Sequence, residues 1–509
     1  MNGVMASGYF GQMQGGFGRA NGTLAFGKKF GEVSVSASAF FGQANRSDRF
    51  LIGADSTRLP MLGNQTLSPL NLNLGIQWQG LKARVFYDRY NSTTWVGYGT
   101  TISAKPLPNN FTTLGADVQY DIKLTDQLTL TPRISYLRQT PWQFNDPSAL
   151  DSTSSAFGSF YDKTATRALA SLTLAGDILP NLFMTFGVET FADNAVAAPL
   201  TPRSSLFQRE FDANGSIVRA SNTVGYTNIG GYVQGLWTNP VVNVNAGIRV
   251  DKYSAVPLAA VPWIGLTKVL GNFNAKLLFG QNFRAPTIEN IRINAGVLPE
   301  ITTALELQLG YQLSYNMLLS ANLFTVSIAN PIVFTTINGL ESYFNYPRTG
   351  SNGIELEYSV KDFWGFVNLN YSFYTPNNNE VPEYTVTNMN NILLGFAQHK
   401  GTLNASFRVL SDDISFNPSA TFLSERYGYN GDDASGNATF RRFEAKVLLN
   451  AFLQWRNIAA VQGLDVGIGA YDILGANYSF IQPYNAGNQA LPGPSREFVV
   501  RASYTLSWN

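Results

Sequence analysis

Apolar and polar side chains alternate with a period of two along this 509-residue chain, from one end to the other. A strand produces that pattern because successive side chains point to opposite faces of a sheet, whereas a helix repeats about every 3.6 residues. Near the N-terminus Val33, Val35, Ala37 and Ala39 alternate with Ser34, Ser36 and Ser38, and further on Leu128, Leu130, Ile134 and Tyr136 alternate with Thr129, Thr131, Arg133 and Ser135. In the middle Val242, Val244, Ala246, Ile248 and Val250 oppose Asn243, Asn245, Arg249 and Asp251, and Leu305, Leu307, Leu309, Tyr311 and Leu313 oppose Glu306, Gln308 and Gln312. The C-terminus closes in kind, with Phe498, Val500, Ala502, Tyr504, Leu506 and Trp508 set against Val499, Arg501, Ser503, Thr505 and Ser507. No stretch approaches about 18 consecutive apolar residues, so a membrane-spanning helix is excluded although 45% of the chain is hydrophobic. If the chain crosses a membrane it crosses as strands, and those strands must close on themselves because every backbone group in lipid has to be paired.

A soluble sandwich also alternates, but its strands usually run to about 5–6 residues. The alternating segments here reach the roughly 9–11 residues that a tilted strand needs to cross a bilayer. Composition agrees: only 14% of residues are charged, against roughly 25% in an ordinary globular protein, while aromatics reach 13%. The expected fold is all-β, a transmembrane antiparallel β-barrel with a lipid-facing apolar set and a lumen-facing polar set. Connections of two kinds are expected to alternate. Tight periplasmic turns are read at Lys28 to Glu32, Gln79-Gly80, Thr125-Asp126-Gln127, Asp177 to Asn181, Thr238-Asn239-Pro240, Leu270-Gly271-Asn272, Ser314-Tyr315-Asn316, Asp362 to Gly365, Ser411-Asp412-Asp413 and Arg456 to Gly463. Longer polar stretches, expected as extracellular loops, include Asn45 to Ser68, Asn91 to Asn110, Gln139 to Lys163, Ala192 to Asn222, Pro376 to Gln398 and Glu425 to Ala438. Ten turns with eleven opposite connections imply about 22 strands. Aromatics such as Phe40-Phe41, Phe86-Tyr87, Tyr90, Tyr371, Phe373 and Tyr374 gather near strand ends, where interfacial girdles are expected, although strand propensity alone also favours them.

Other functions are excluded by what is scarce. Net charge is +1 and the 35 basic residues are scattered, so nucleic acid is not an expected partner. Without cysteine there are no disulfides, thiolate metal sites or cysteine nucleophiles. The one histidine, His399, lies in Gln398-His399-Lys400 at the start of a strand and reads as a rim residue rather than a ligand contact. A multi-histidine metal site cannot be built, and a Ser-His-Asp triad elsewhere on the chain lacks its base. Glu355 and Glu357 share one polar face with Lys361 and read as lumen lining rather than an acid–base pair. Gly15-Gly16-Phe17-Gly18 and Gly230-Gly231 do not join a buried strand to a helix, so they read as turns or close-packed strand positions rather than nucleotide cradles. No enzyme activity, cofactor or metal is expected.

Several segments resemble the signature stretches of TonB-dependent outer membrane receptors. Gln281-Asn282-Phe283-Arg284-Ala285-Pro286-Thr287, followed by Leu298-Pro299-Glu300 and Glu306 to Gly310, is similar to the family's "FRAPT", "L-x-PE" and "E-x-G" run. Leu323-Phe324 to Ile328 and Asn345 to Gly350 then lead into Gly353-Ile354-Glu355-Leu356-Glu357, similar to the family's "GxExE". Tyr471-Asp472-Ile473-Leu474-Gly475-Ala476-Asn477-Tyr478 and Pro492-Gly493-Pro494-Ser495-Arg496-Glu497 resemble the last extracellular loop and the approach to the final strand. Order and spacing agree over about 220 residues; the rest of the chain agrees in pattern.

The resemblance implies a receptor barrel for energy-coupled uptake of a scarce ligand, of the ferric siderophore, haem, cobalamin or oligosaccharide class, in the outer membrane of a Gram-negative bacterium. Its implied partners are membrane lipid, an extracellular small molecule, and a plug domain or TonB complex acting through an N-terminal region. Two departures stand out. Residues 1–509 read as barrel, with no recognisable signal peptide or plug, and Met1-Asn2-Gly3-Val4-Met5 resembles the strand that ends a family plug. The expectation is therefore a start at an internal methionine, through a misassigned start, a split gene or an excision. The second departure is Asn509, which follows the aromatic Trp508 on which such barrels commonly end. Candidate ligand contacts are loop aromatics and arginines, which offer large contact area and stacking: Trp95, Tyr98, Trp142, Phe144, Arg284, Tyr343, Tyr346, Tyr427 and Tyr429. The bland alternative for each is girdle or loop packing. The rival function is a passive porin or channel, since a barrel this wide and unfilled would leak.

Overall fold

The computed structural model describes residues 2–53, 56–96, 102–144, 162–198, 208–211, 217–221, 223–337, 340–458, 461–483 and 489–508. One sheet holds 23 strand segments, of which Ile102–Tyr120 and Ile122–Lys123 are successive pieces of a single strand, both lying opposite Leu128–Phe144. That leaves 22 strands, as the turn pattern implies. Each is antiparallel to its neighbours, and the first strand, Gly3–Met13, pairs with the last, Glu497–Ser507, from Gly3 opposite Ser507 to Met13 opposite Glu497. The sheet therefore has no free edge, which is the condition for a sheet to sit in hydrocarbon. Past the last ladder rung, the Trp508 amide donates to the Asn2 carbonyl at 3.1 Å and Asn2 Nδ2 donates to the Trp508 carbonyl at 2.8 Å. Asn509 lies outside the described residues.

The apolar set of each strand faces out. Along Thr66–Trp78, Leu72, Leu74, Ile76 and Trp78 are all exposed, while Asn71 and Asn73 on the other face bond to Asp88 and Arg84 of the next strand. Large exposed apolar residues such as Ile134, Val188, Ile229, Ile468 and Phe498 continue this belt around the barrel. In water such a surface would collapse or aggregate; against lipid it is the expected exterior. Buried apolar clusters are found near the barrel rim instead: Leu51, Met61 and Trp95 form one, and Ala195, Val224 and Ile291 another.

All ten tight turns fall where the sequence places them, on one rim. Gly31 and Gly271 adopt φ of 58° with open space around them, so these two glycines serve the backbone rather than any packing need. On the opposite rim most connections are long, but the strands run further into them than expected. Leu81–Val96 and Ile102–Tyr120 carry their ladder to Val96 opposite Ile102, so Asn91 to Asn110 is largely hairpin rather than loop. Glu425 to Ala438 likewise contains most of a hairpin formed by Arg426–Asp432 and Ala438–Phe443. The reason is solvation: above the bilayer both faces of a strand meet water, so the strand persists while its alternation disappears.

In the first glycine run Gly15 lies in a turn and Gly18 in a close-packed strand position, the two readings the sequence left open. Glu497 is 1% exposed, and a Cβ on Gly11 or Gly18 would collide with its Oε1. The carboxylate settles over these two glycines and takes a two-pronged bond from Arg19, with Nε–Oε1 at 2.9 Å and Nη2–Oε2 at 2.5 Å. This pair clasps the strands where the barrel closes.

Candidate binding site at the long-loop rim

The "FRAPT" segment sets up one side of the rim. Phe273–Arg284 ends at Arg284, whose guanidinium pairs with Glu300 at the start of the next strand, Glu300–Ser314. Pro286 has no amide hydrogen to continue the ladder and is fully buried. Thr287 then caps the short helix Ile288–Ile293: its hydroxyl accepts from the Asn290 amide at 3.2 Å, and Asn290 Oδ1 accepts the Thr287 amide at 2.9 Å. Ile291 seats that helix against Ala195 and Val224.

From there, each loop is hydrogen-bonded to the next. Asn294 Nδ2 donates to the Tyr343 carbonyl at 2.8 Å, and Asn345 Oδ1 accepts the Leu298 amide at 2.7 Å while its Nδ2 donates to the Leu298 and Asn330 carbonyls. The Tyr346 hydroxyl donates to Glu383 Oε1 at 2.6 Å. The Gly395 amide donates to the Tyr427 carbonyl at 2.8 Å, and Arg426 Nη2 to the Ser479 carbonyl at 3.3 Å. Ser47 Oγ donates to the Gly493 carbonyl at 3.0 Å, and Asp48 accepts the Ser495 amide at 3.0 Å, the Ser495 hydroxyl at 2.5 Å and the Gly15 amide at 2.7 Å. Six loops thus form one connected arc along the rim. Trp95 ties the neighbouring hairpin to its end, its Nε1 donating to the Pro60 carbonyl at 2.8 Å.

The sequence candidates divide along this arc. Arg284, Tyr343, Tyr346, Tyr427 and Tyr429 all belong to it. Arg284 is half exposed beyond its pair with Glu300, and the Tyr343 ring lies 5.1 Å from that of Phe334. Trp95 is buried against Leu51 and Met61, so its indole holds loops together rather than facing the mouth. Tyr98 and the side chains of Trp142 and Phe144 lie outside the described residues. Sequence reasoning passed over Arg426, which opens the run Arg426-Tyr427-Gly428-Tyr429; its Nε is buried without a partner, and burial pushes its guanidinium down. A cation inside an aromatic run was the available signal. It also passed over Glu383, which is buried with one carboxylate oxygen unpaired.

Electrostatics fixes what the tyrosines can do. Burial, then the Glu383 bond, pushes the Tyr346 phenol up to about 12; burial, then its 3.0 Å bond to Asp432, pushes Tyr429 up to about 12 as well. Both stay neutral at ordinary pH and are available for hydrogen bonding and stacking. Burial works against ionisation of Asp48, but the bonds from Ser495 and Gly15 prevail and hold its carboxyl below the usual range.

Below the rim the inner wall is polar. Arg133 pairs with Asp117 at 2.6 Å, Lys82 with Asp121 at 2.7 Å, Arg167 with Asp193 at 2.6 Å, and Arg249 with Asp251 at 2.6 Å and Glu189 at 3.2 Å. Glu306, Glu355, Glu357 and Lys400 line a depression of 320 Å³ in this wall. Glu355 accepts from Asn322 Nδ2 at 3.2 Å, in keeping with a lining role. His399 is the exception to the inward polar set: it stands opposite Phe373 on the outward face, and its Nδ1 lies 2.7 Å from the Tyr371 hydroxyl, within the aromatic girdle.

The family model described as TonB dependent receptor-like, beta-barrel matches residues 7–473. No curated protein sequence matches the chain significantly. Among solved structures, a mutant of the ferric enterobactin receptor from Pseudomonas aeruginosa aligns at 12% identity with a TM-score of 0.76, covering 99% of this chain and 80% of that one. The siderophore receptor PirA from Acinetobacter baumannii aligns at 11% identity and TM-score 0.77, covering 99% and 81%. The FrpB iron transporter from Neisseria meningitidis aligns at 12% identity and TM-score 0.75, covering 99% and 82%. At these identities the likeness is one of fold.

Proposed function

Because the chain belongs to the TonB-dependent receptor-like β-barrel family, whose barrels sit in the outer membrane of Gram-negative bacteria, we propose that it forms the wall and mouth of an energy-coupled uptake receptor. The ligand is a scarce extracellular small molecule of the ferric siderophore, haem, cobalamin or oligosaccharide class, and ferric siderophores come first because the solved neighbours are named as siderophore and iron receptors. The observation that carries the reading is the arc of interlocked extracellular loops, which holds Arg284, Tyr343, Tyr346, Tyr427 and Tyr429 along one sector of the mouth. A pore that only has to stay open gains nothing from loops tied to one another in this way, whereas a binding surface gains preorganisation. The coupling partners are a plug domain and a TonB complex. A passive channel of the same width would instead conduct continuously.

The test is uptake by cells expressing the gene at its native locus, offered labelled ferric siderophores, haem, cobalamin and oligosaccharides in turn. Saturable accumulation of one class, stopped by a protonophore, is expected. Entry that neither saturates nor responds to the protonophore, with steady large currents of the purified protein in bilayers, would replace the receptor with a channel.

A further inference from the structure

On the outward face, the apolar row ends in the same way in two nearby strands. Along Leu81–Val96 it passes through Val85 and Tyr87 to Arg89; along Leu128–Phe144 it passes through Ile134 and Tyr136 to Arg138. Register places them together. Tyr87 lies opposite Leu114 and Leu114 opposite Arg138, while Arg89 lies opposite Thr112 and Thr112 opposite Thr140. With strands about 4.8 Å apart and a rise of about 3.4 Å per residue, the two arginines have Cα atoms about 12 Å apart on one face. Their side chains are long enough to converge on a single group between them.

Both arginines are exposed, and neither has a hydrogen bond or ion pair among the described residues. Three other rim cations do have partners: Arg284 has Glu300, Arg348 has Glu380, and Lys252 Nζ donates to the Val256 carbonyl. A guanidinium facing hydrocarbon is costly, but one position beyond a girdle tyrosine it stands at headgroup height, where phosphate is its natural bidentate partner. The surface beside Arg89 is concave. One row, Gly22 opposite Phe41, Phe41 opposite Leu70 and Leu70 opposite Arg89, borders a depression of 530 Å³. Towards the periplasm on the same strands lies a second, of 520 Å³, walled by Leu24, Phe26, Leu72 and Leu74 over Ala37 and Ala39 and almost wholly apolar.

We propose that this face seats an outer-leaflet lipid with a phosphate-bearing headgroup: acyl chain along the second, apolar depression, phosphate between Arg89 and Arg138. The occupant is a lipid rather than a free anion because both arginines stand on the lipid side of the wall, and Arg89 is the next outward residue after Tyr87, which lines the apolar depression.

Native mass spectrometry of the full chain in detergent, titrated with bisphosphorylated lipid A and with the same lipid after enzymatic removal of its phosphates, tests this. The phosphorylated lipid is expected to bind at least about tenfold more tightly, and R89A/R138A to lose that advantage while R89K/R138K retains part of it. The pair K28A/K268A, at the opposite rim, is expected to change nothing. Heat-dependent gel migration checks that each variant is a closed barrel, and the phosphate comparison on the unaltered protein needs no variant at all. Equal binding of the two lipids, or equal loss in K28A/K268A, overturns the proposal. So does a lipid-free dimer that R89A/R138A abolishes, which would assign the face to a second copy of the chain.

Discussion

The two rims of this barrel use the same strands and solve different problems. On the periplasmic rim the chain only has to reverse, in turns as short as Gly31-Glu32, Gln79-Gly80 and Gly271-Asn272, and neighbouring turns are tied by short polar contacts, as Gln79 Nε2 donates to Glu32 at 2.9 Å and Asn316 Nδ2 to Asp362 at 2.6 Å. On the extracellular rim, loops of up to about 25 residues are held by side chains that reach a neighbour's backbone, as Asn294 reaches Tyr343, Asn345 reaches Leu298 and Ser47 reaches Gly493. Damage to a periplasmic turn should therefore reach no further than the turn beside it, whereas damage to one extracellular loop, which also packs buried apolar side chains, should spread along the arc. The barrel's stability and its recognition surface are separable on this view.

The largest expected effect lies at the clasp beneath the extracellular rim. Gly11→Val drives a side chain into Glu497, which cannot give way without leaving Arg19, so closure of the barrel itself is at stake. Loss of heat-modifiable migration and of outer membrane yield is expected; a folded variant with unchanged yield would show that the clasp is dispensable. Next comes Trp95→Ala, which removes a buried indole and should cost about 3–5 kcal/mol within the loop cluster. Here the barrel should survive by gel migration while protease cuts within residues 46–65 become faster and ligand binding weakens. Protection as in the unaltered protein would mean that the loops hold without it. Tyr346→Phe removes one bond to a buried carboxylate and should cost about 1–3 kcal/mol, seen as weaker ligand binding with barrel melting unchanged. Gly271→Ala should cost about 1 kcal/mol from its positive φ and leave ligand binding untouched; an effect on binding would break the proposed independence of the rims.

The smallest effect is one of pH. Asp48 has a folded pKa below its ordinary value of 3.8, so it contributes stability that is present above 3.8 and lost as pH falls through the lower folded value. Amide exchange at Gly15 and Ser495 should rise only in strongly acidic solution, with periplasmic turns unaffected. A rise beginning near neutral pH would remove Asp48 as the cause.

How much of this could be read from the residues follows the same division. Strand number, facing and the ten turns depend on period and on local turn chemistry, which neighbouring residues determine; Gly31 and Gly271 announce themselves. The long loops do not. Asn91 to Asn110 lost its alternation because water wets both faces above the membrane, and so a hairpin looked like a loop. Trp95 looked like a ligand contact because nothing near it in sequence reveals Pro60 and Met61 as its neighbours. Arg284 and Tyr346 were found, but their partners Glu300 and Glu383 are 16 and 37 residues away, and only the closed arc brings them together. The family-like segments are legible for a physical reason too: in Phe283 to Thr287, Arg284 ends the strand and pairs with Glu300, Pro286 breaks the ladder and Thr287 caps the helix.

The pairing of Gly3–Met13 with Glu497–Ser507 has a consequence in time. The first strand of the barrel to be made has for one of its two neighbours the last strand of the barrel, so no partial barrel can complete the cylinder. Until synthesis ends, both flanks of the growing sheet carry unpaired amides and carbonyls, and nearly every apolar side chain of the belt still lacks the lipid it needs. Such a molecule must be kept from pairing with its fellows throughout its journey across the periplasm, and its final hydrogen bonds are also those of greatest sequence separation, the slowest kind to find. Folding and membrane insertion thereby become one event with a single, late point of commitment.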